Sequence, residues 1–388
     1  MKISHALKCV VWLKLQGVAT AVCHIPSTKH YVIPKTSVPP VIDGSLNDDV
    51  WENAPWTDEF TGLLDSFSGL VPSLNMRTRA KMLWDDQNIY VGAQMTDPIL
   101  FANVSNPLDL ELYDNTFEIF IDFDRTNHHY KRIQMNPLGN HRTLEYPRPP
   151  DDGGLPSGWD ASSKITYGVF NSTPINVIHD ALSLIDSVTE TNSQWSVEWA
   201  IPISLLRKAR KRSDTANSAM PSFANFQFMR AGWPPASIPH PQEDPGGLNK
   251  RELLSLLEPI NEGPFQHVWS VLHDNTTNTV DNPEYWGTIE FSDSVKVDPD
   301  HRLKSDPQKT ARHVLMEVYH AQKAYFTSHG HYTASLRELR SKRHRLFGCG
   351  KIPRITLSND RLRYTASVRS GEKIGKVRED RLLWFTMR

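Results

Sequence analysis

The 388-residue sequence predicts a mainly β protein: a two-sheet antiparallel β-sandwich of the immunoglobulin or jelly-roll kind, with a small C-terminal α+β appendix. Three observations carry this. Short period-2 apolar segments follow one another between turn signals from about residue 30 to 293, and helical periodicity is nearly absent there. The 27 prolines and 11 tryptophans suit a loop-heavy architecture whose aromatics pack on pleated faces. Third, the net charge of −1 conceals two unlike regions. Residues 295–388 carry 21 Lys/Arg against 9 Asp/Glu, a balance of +12, and the other 22 and 35 leave −13 for residues 1–294. An acidic body and a basic tail read as two units with different surfaces.

Residues 1–25 resemble a secretory signal peptide, with Lys2 before an apolar stretch that ends in small residues, although Lys14 and Gln16 interrupt it. The expectation is a secreted, periplasmic or cell-surface protein. No later run approaches the roughly 20 apolar residues of a membrane span. Two of the three cysteines, Cys9 and Cys23, fall in this first stretch and the third is Cys349. No disulfide framework is therefore expected to staple the body, and the compartment stays open on this count.

Residues 26–293 are the predicted sandwich. It opens with "VIDGSLNDDVWENAPW", where Asp43-Gly44 suits a turn, Asn47 can cap one helical turn, and Asp48 and Asp49 favour its N-terminal end. "TRAKMLWDDQNIYVGAQMTD" reads as two strands around an Asp/Asn turn at residues 85–88. "NTFEIFIDFD" places Phe117, Ile119, Ile121 and Phe123 on one face, with Glu118, Phe120 and Asp122 on the other. "HYKRIQMNP", "SKITYGVFN", "QWSVEWAIP", "NFQFMRAGW" and "YWGTIEFSD" continue the alternation, and "PISLLRKARK" is the one short helix expected among them. Trp84, Trp195, Trp199 and Trp286 lie in strand patterns and are expected in the core.

Residues 294–388 form the predicted appendix. Val314, Leu315, Val318, Tyr319, Gln322, Tyr325 and Phe326 recur at helical spacing, and Gly330 is a plausible stop. "RITLSNDRLRYTASV" then reads as a hairpin around Asn359-Asp360, with "RLLWFTM" as a third strand.

Five phrases, "PPVIDGSLNDDVWENAP", "AKMLWDDQNIYVGAQMTDP", "DNTFEIFIDFD", "QWSVEWAIPISLL" and "NPEYWGTIEFSD", occur in the order typical of family 9 carbohydrate-binding modules. The chain resembles that family from about residue 30 to 293. The resemblance implies a sugar-holding β-sandwich of the sort commonly attached to polysaccharide-degrading enzymes. It also implies an inward-packed tryptophan in the opening phrase, so Trp51, and with it Trp56, is expected in the scaffold rather than in a site.

Sugar recognition needs flat aromatic surfaces for pyranose C–H faces and planar carboxylates or amides for hydroxyl pairs. Glu118 matches the carboxylate that relatives use on the sugar. The two tryptophans that clamp the sugar in the best-known members correspond to Leu112 and Val280, and their arginine corresponds to Gln134, so the usual clamp is missing. Tyr113 could supply a platform instead, and Asn115, Asn136 and Asn282 hydrogen bonds, although such residues more often serve turns and edges. Trp159 and Trp233 sit in Pro/Gly-rich loops, where binding aromatics tend to lie, and capping a core is the competing role. The expectation is a non-catalytic carbohydrate-binding protein with a groove around Glu118.

Other chemistries are thinner. The histidines show no ligand spacing. Calcium is conceivable, because relatives bind it and Asp109, Glu111 and Asp114 offer oxygen ligands, against a plain reading as solvated acids. Related sandwiches bind haem through Met with Lys or His, which makes Met95, Met135 and Met229 candidates for a second reading. Glycoside hydrolysis is a third, although sequence cannot show a carboxylate pair at the required separation. The basic tail could touch an anionic polysaccharide, nucleic acid or a membrane surface, but a charge run is usually a solvated face and no nucleic acid partner is expected. The sugar, the oligomeric state and the role of the appendix are not readable.

Overall fold

The computed structural model describes residues 25, 27–63, 76–97, 100, 102, 114–172, 193–207, 220–232, 265–270, 280–298, 301, 303–339 and 349–388. The signal-like stretch up to residue 24 lies outside these. Two sheets make the body. The smaller contains β3 (Thr78–Trp84), β4 (Asn88–Asp97), β9 (Thr166–Asn171) and β10 (Ser193–Pro202), in the order β3-β4-β10-β9. The larger contains β1 (His30–Ile33), β2 (Thr61–Gly62), β5 (Thr116–Asp122), β6 (Tyr130–Met135), β7 (His141–Tyr146), β8 (Ser157–Gly158), β11 (Phe223–Gly232), β12 (Phe265–Val268) and β13 (Gly287–Phe291). Its order is β1-β13-β11-β5-β6-β7-β8, with β12 on the last half of β11 and β2 on β12. Among the described strands of the body, all ladders are antiparallel except β1 with β13, and an isolated parallel bridge joins Lys35 to Trp84. The predicted sandwich is present.

The alternation read in β5 holds. Phe117, Ile119, Ile121 and Phe123 enter the core between the sheets, where Phe117 stacks on Trp199 at 5.6 Å and on Phe228 at 6.0 Å. Trp84, Trp195 and Trp199 are buried there as expected, whereas Trp286 is buried on the opposite face of the larger sheet. The hairpin turn is closed by Asp85, whose carboxylate accepts the Gln87 and Asn88 amides at 2.7 and 2.6 Å. The predicted helix shrinks to one turn, α1 (Ile203–Leu206).

The opening phrase is scaffold. Trp51 is 1% exposed, and its Nε1–H donates to Glu198 at 2.6 Å. The same carboxylate accepts the Asp43 and Gly44 amides at 3.0 and 2.8 Å. Gly168 permits this approach, since a Cβ there would lie 2.3 Å from the backbone of Asp43 and Gly44. Burial, opposed by these donors, raises the Glu198 carboxyl to about 6. Two details differ from expectation. The cap of the turn Asp49–Asn53 is Asp48 rather than Asn47, and its carboxylate accepts the Val41 amide instead of a helical one. Trp56 is only half-buried and lies outside the core, because Arg79 and Lys81 stack on its ring at 4.0 and 4.3 Å.

The appendix contains α2 (Lys309–His329), ended by Gly330 in the left-handed region at φ 72°, as the sequence indicates. A four-stranded antiparallel meander follows: β14 (Arg354–Leu357), β15 (Tyr364–Ser370), β16 (Lys373–Arg378) and β17 (Leu383–Met387). The strand β16 is absent from the sequence reading. In "KIGKVR" only Gly375 and Val377 face the small core, so its apolar signal is thin. Glycine is needed at 375, where a Cβ would meet Phe385 at 2.7 Å and Leu315 at 3.0 Å. Cys349, in the appendix, is disulfide-bonded.

The basic appendix docks on the acidic body. Arg381 is 2% exposed and ion-pairs with Asp152 at 2.8 Å and Glu284 at 3.4 Å, while its guanidinium also bonds Asn282 and Tyr319. Burial works to lower the Arg381 pKa, but Glu284, Tyr319 and Asp152 raise it overall. Tyr319 donates to Asp152, and Lys323 pairs with it at 2.9 Å. Arg125 pairs with Asp306 at 2.8 Å, and the Leu383 amide donates to the Thr126 carbonyl at 3.1 Å. Part of the +12 of the tail therefore meets the −13 of the body within one chain.

Candidate carbohydrate-binding face

The face of the larger sheet turned away from the core is built by the other half of each period-2 pattern. Register places Met229 of β11, Glu118 of β5, Gln134 of β6 and Arg142 of β7 in one cross-strand row. The next row is Gln227, Phe120, Arg132 and Leu144. Around them Phe120, Tyr130, Tyr146 and Trp286 form an aromatic cluster. Tyr130 and Tyr146 stack at 4.8 Å, and Trp286 meets Tyr130 edge-on at 5.2 Å.

Glu118 is 1% exposed. The Arg132 Nε–H donates to it at 2.8 Å, with Nη2 also at 2.8 Å, and the Thr116 hydroxyl donates at 3.4 Å. Arg132 also donates to the Tyr146 hydroxyl at 3.2 Å and lies 5.1 Å over the Phe120 ring. Gln134 is fully buried, and neither its amide oxygen nor its amide nitrogen has a hydrogen-bond partner. A buried amide without partners is costly in a native interior, and a hydroxyl pair is the complement that satisfies both atoms at once.

The structure brings together Glu118 and Gln134 among the residues expected from sequence. It adds Arg132, which the sequence reading passed over. The arginine sits two residues before Gln134, and the alternation in "YKRIQM" was the available signal for a shared face. Three amides belong to the scaffold instead. Asn115 supports the buried pair of Asp97 and Arg230. Asn136 closes the β6–β7 turn, accepting the Leu138 and Asn140 amides at 3.1 and 2.9 Å and donating to Asp114 at 2.7 Å. Asn282 is held by Arg381. Trp159 is half-buried against the intersheet core, and its carbonyl accepts the Thr143 hydroxyl at 2.7 Å, so it caps the core away from Glu118. Tyr113 and Trp233 lie outside the described residues, as does Leu112, while Val280 is buried in the aromatic cluster.

For the other readings, Asp109 and Glu111 are outside the described residues. Among the described residues no group of three His, Cys, Asp or Glu is placed to hold a metal ion. Met95 and Met135 are packed in the intersheet core, and Met229 is on the other face of the larger sheet. Among the described residues no helix is long and apolar enough to cross a membrane.

Comparison with known proteins places this face in context. Residues 42–137 match the model of the carbohydrate family 9 binding domain-like family, a narrower span than the five phrases suggested. An endo-1,4-β-xylanase A of Thermotoga neapolitana is 36% identical over 112 residues, covering 28% of this chain and 8% of the relative. An endo-1,4-β-xylanase A of Thermoanaerobacterium saccharolyticum and the exoglucanase XynX of Acetivibrio thermocellus are each 30% identical over 163 residues, covering 42% of this chain. The chain spans 8 to 11% of the length of these relatives. A family 9 module from Caldicellulosiruptor kristjanssonii in complex with cellotriose aligns over 72% of this chain and all of its own, at 17% identity and a TM-score of 0.37. The matched residues 42–137 include β5 and β6 entire, so the similarity to the carbohydrate family 9 binding domain-like family takes in the strands that carry Glu118, Arg132 and Gln134.

Proposed function

We propose that the chain is a non-catalytic carbohydrate-binding unit whose site is the cluster of Glu118 and Gln134 with Arg132 of the adjacent row, on the outer face of the larger sheet. The observation that carries this reading is the buried, partnerless Gln134 amide beside a carboxylate and a guanidinium. A sugar hydroxyl pair would complete the amide, and the Arg132 and Glu118 groups provide charged donors and acceptors next to it. The xylanase and exoglucanase relatives make β-1,4-linked xylo- and cello-oligosaccharides the first ligands to try, with the chain as an accessory to their breakdown outside the cell. Because Glu118 and Gln134 are 1% and 0% exposed, a ligand must open a path to them.

Isothermal titration with these oligosaccharides, in buffer containing calcium, tests the reading. Charge-assisted hydrogen bonds contribute about 1.5–3 kcal/mol, so Glu118→Ala should weaken binding by roughly one to two decades. Unchanged affinity in a folded Glu118→Ala protein would remove the site from this face.

A further inference from the structure

A cavity of about 400 Å³ lies in the seam between the sandwich and the N-terminal half of α2 rather than on the Glu118 face. Its size falls within the roughly 300–1,000 Å³ of small-molecule sites, which favour such domain seams. Its walls carry His30, Arg125, Phe223, Tyr285, Lys309 and Arg312.

The cations here outrun their partners. The wall carboxylates are already engaged: Asp306 pairs with Arg125 at 2.8 Å, Glu284 with Arg381 and His320 at 3.4 Å each, and Glu317 is likewise partnered. His30 is occupied by Glu290 at 3.2 Å. Among the described residues Arg312 has no carboxylate in an ion pair, and its guanidinium lies 4.9 Å over the Phe385 ring. One of its nitrogens donates to the Arg125 carbonyl at 2.5 Å, and its Nε is buried without a hydrogen-bond partner. Burial and the neighbouring Arg125 pull its pKa down to about 9. Asp122 lies near, but its carboxylate accepts the Thr126 and Asn127 amides at 3.1 and 2.9 Å. Lys309, exposed in the cavity wall, makes no ion pair among the described residues. Phe223 and Tyr285, also in the wall, are half-buried; Arg125 lies 5.8 Å over the Phe223 ring and His320 stacks on Tyr285 at 6.1 Å.

We infer that this seam is a second ligand site, for a carboxylate-bearing saccharide, with the acid group on Arg312 and Lys309 and the sugar ring against Phe223 and Tyr285. A guanidinium edge matches a planar carboxylate in a way that a point charge does not. The aromatic walls suit pyranose C–H faces, which a small inorganic anion lacks. The cavity reaches Trp286 of the aromatic cluster but not Glu118, Arg132 or Gln134, so the two sites can fail independently.

Calorimetric titration of the full chain with a galacturonate tetrasaccharide, its neutral methyl ester and inorganic phosphate tests this. The acid should bind, the ester at least tenfold more weakly, and phosphate not measurably. Arg312→Gln should weaken the acid tenfold or more and Lys309→Gln severalfold. Lys309 is exposed, so its variant carries the test if Arg312→Gln does not fold. Glu118→Ala should leave acid binding intact. The inference is overturned if the acid does not bind, if ester or phosphate binds equally well, if Lys309→Gln changes nothing, or if Glu118→Ala abolishes acid binding.

Discussion

The body and the appendix are held by different forces. Between the two sheets of the body, large aromatic side chains meet face to face, and the attraction grows with buried apolar area, about 25 cal/mol per Å². Between the body and the appendix, the central contact is Arg381 buried among Asp152, Glu284, Asn282 and Tyr319. Such a cluster adds little net stability over an apolar contact of the same shape, yet it tolerates no missing member. The comparison teaches that an opposed charge balance along a chain can be an internal joint. A basic tail that invites an external anionic partner on sequence grounds is, at Arg381, already matched by the same molecule.

The two regions should therefore break differently. Trp51→Ala strikes the body hardest. It opens a cavity worth about 3–5 kcal/mol and removes a donor from the buried Glu198, so chemical denaturation should show the whole sandwich destabilised. A loss below 1 kcal/mol would contradict the packing role of this residue. Arg381→Ala should come next, at about 3–5 kcal/mol, because it leaves two acids of the joint uncompensated. Here the damage should be local. Hydrogen exchange should rise in α2 and β15–β17 while β4 and β10 keep their protection, and equal loss in both regions would show one cooperative unit instead.

A gentler separation uses pH. The Glu198 carboxyl is raised from 4.5 to about 6 by burial, so its protonated form favours the folded state. That contribution is complete below about 4.5 and is lost as pH rises through about 6. Melting temperature should carry a downward step over this window, and Glu198→Gln should lack it; a step that survives in Glu198→Gln belongs to another group. Smallest is Gly330→Ala, where a side chain must take φ 72° at the end of α2, at about 1 kcal/mol. Melting of the appendix should shift by that amount and the sandwich should not move.

Much of this was legible because it is local. The period-2 alternation of "NTFEIFIDFD" fixes which side chains face the core, and the left-handed glycine marks the end of α2. What was hidden depends on distance along the chain or on weak patterning. Arg381 stands in a turn at φ 69° and finds its partners 97 and 229 positions away, at Glu284 and Asp152, which no local rule anticipates. The strand β16 hides behind its three cations. Arg132 is readable in principle, since it alternates with Gln134, but its guanidinium stands two residues before the position that corresponds to the arginine of relatives. Asn115, Asn136 and Asn282 look like ligand groups in sequence and prove to be structural once their backbone and ionic partners are in view.

In the proposed function, the polar groups on the outer face of the larger sheet receive a sugar. The side-chain amide of Gln134 reports on it most directly, because it is buried without a partner in the ligand-free protein. In a ¹⁵N-labelled sample titrated with the oligosaccharide that binds most tightly, the Gln134 side-chain NH₂ resonances should shift and saturate with the calorimetric affinity. The same titration of Glu118→Ala should need roughly ten to a hundred times more ligand, following the loss of a charge-assisted bond. Saturating binding that leaves the Gln134 side chain unmoved would place the sugar elsewhere and contradict the account.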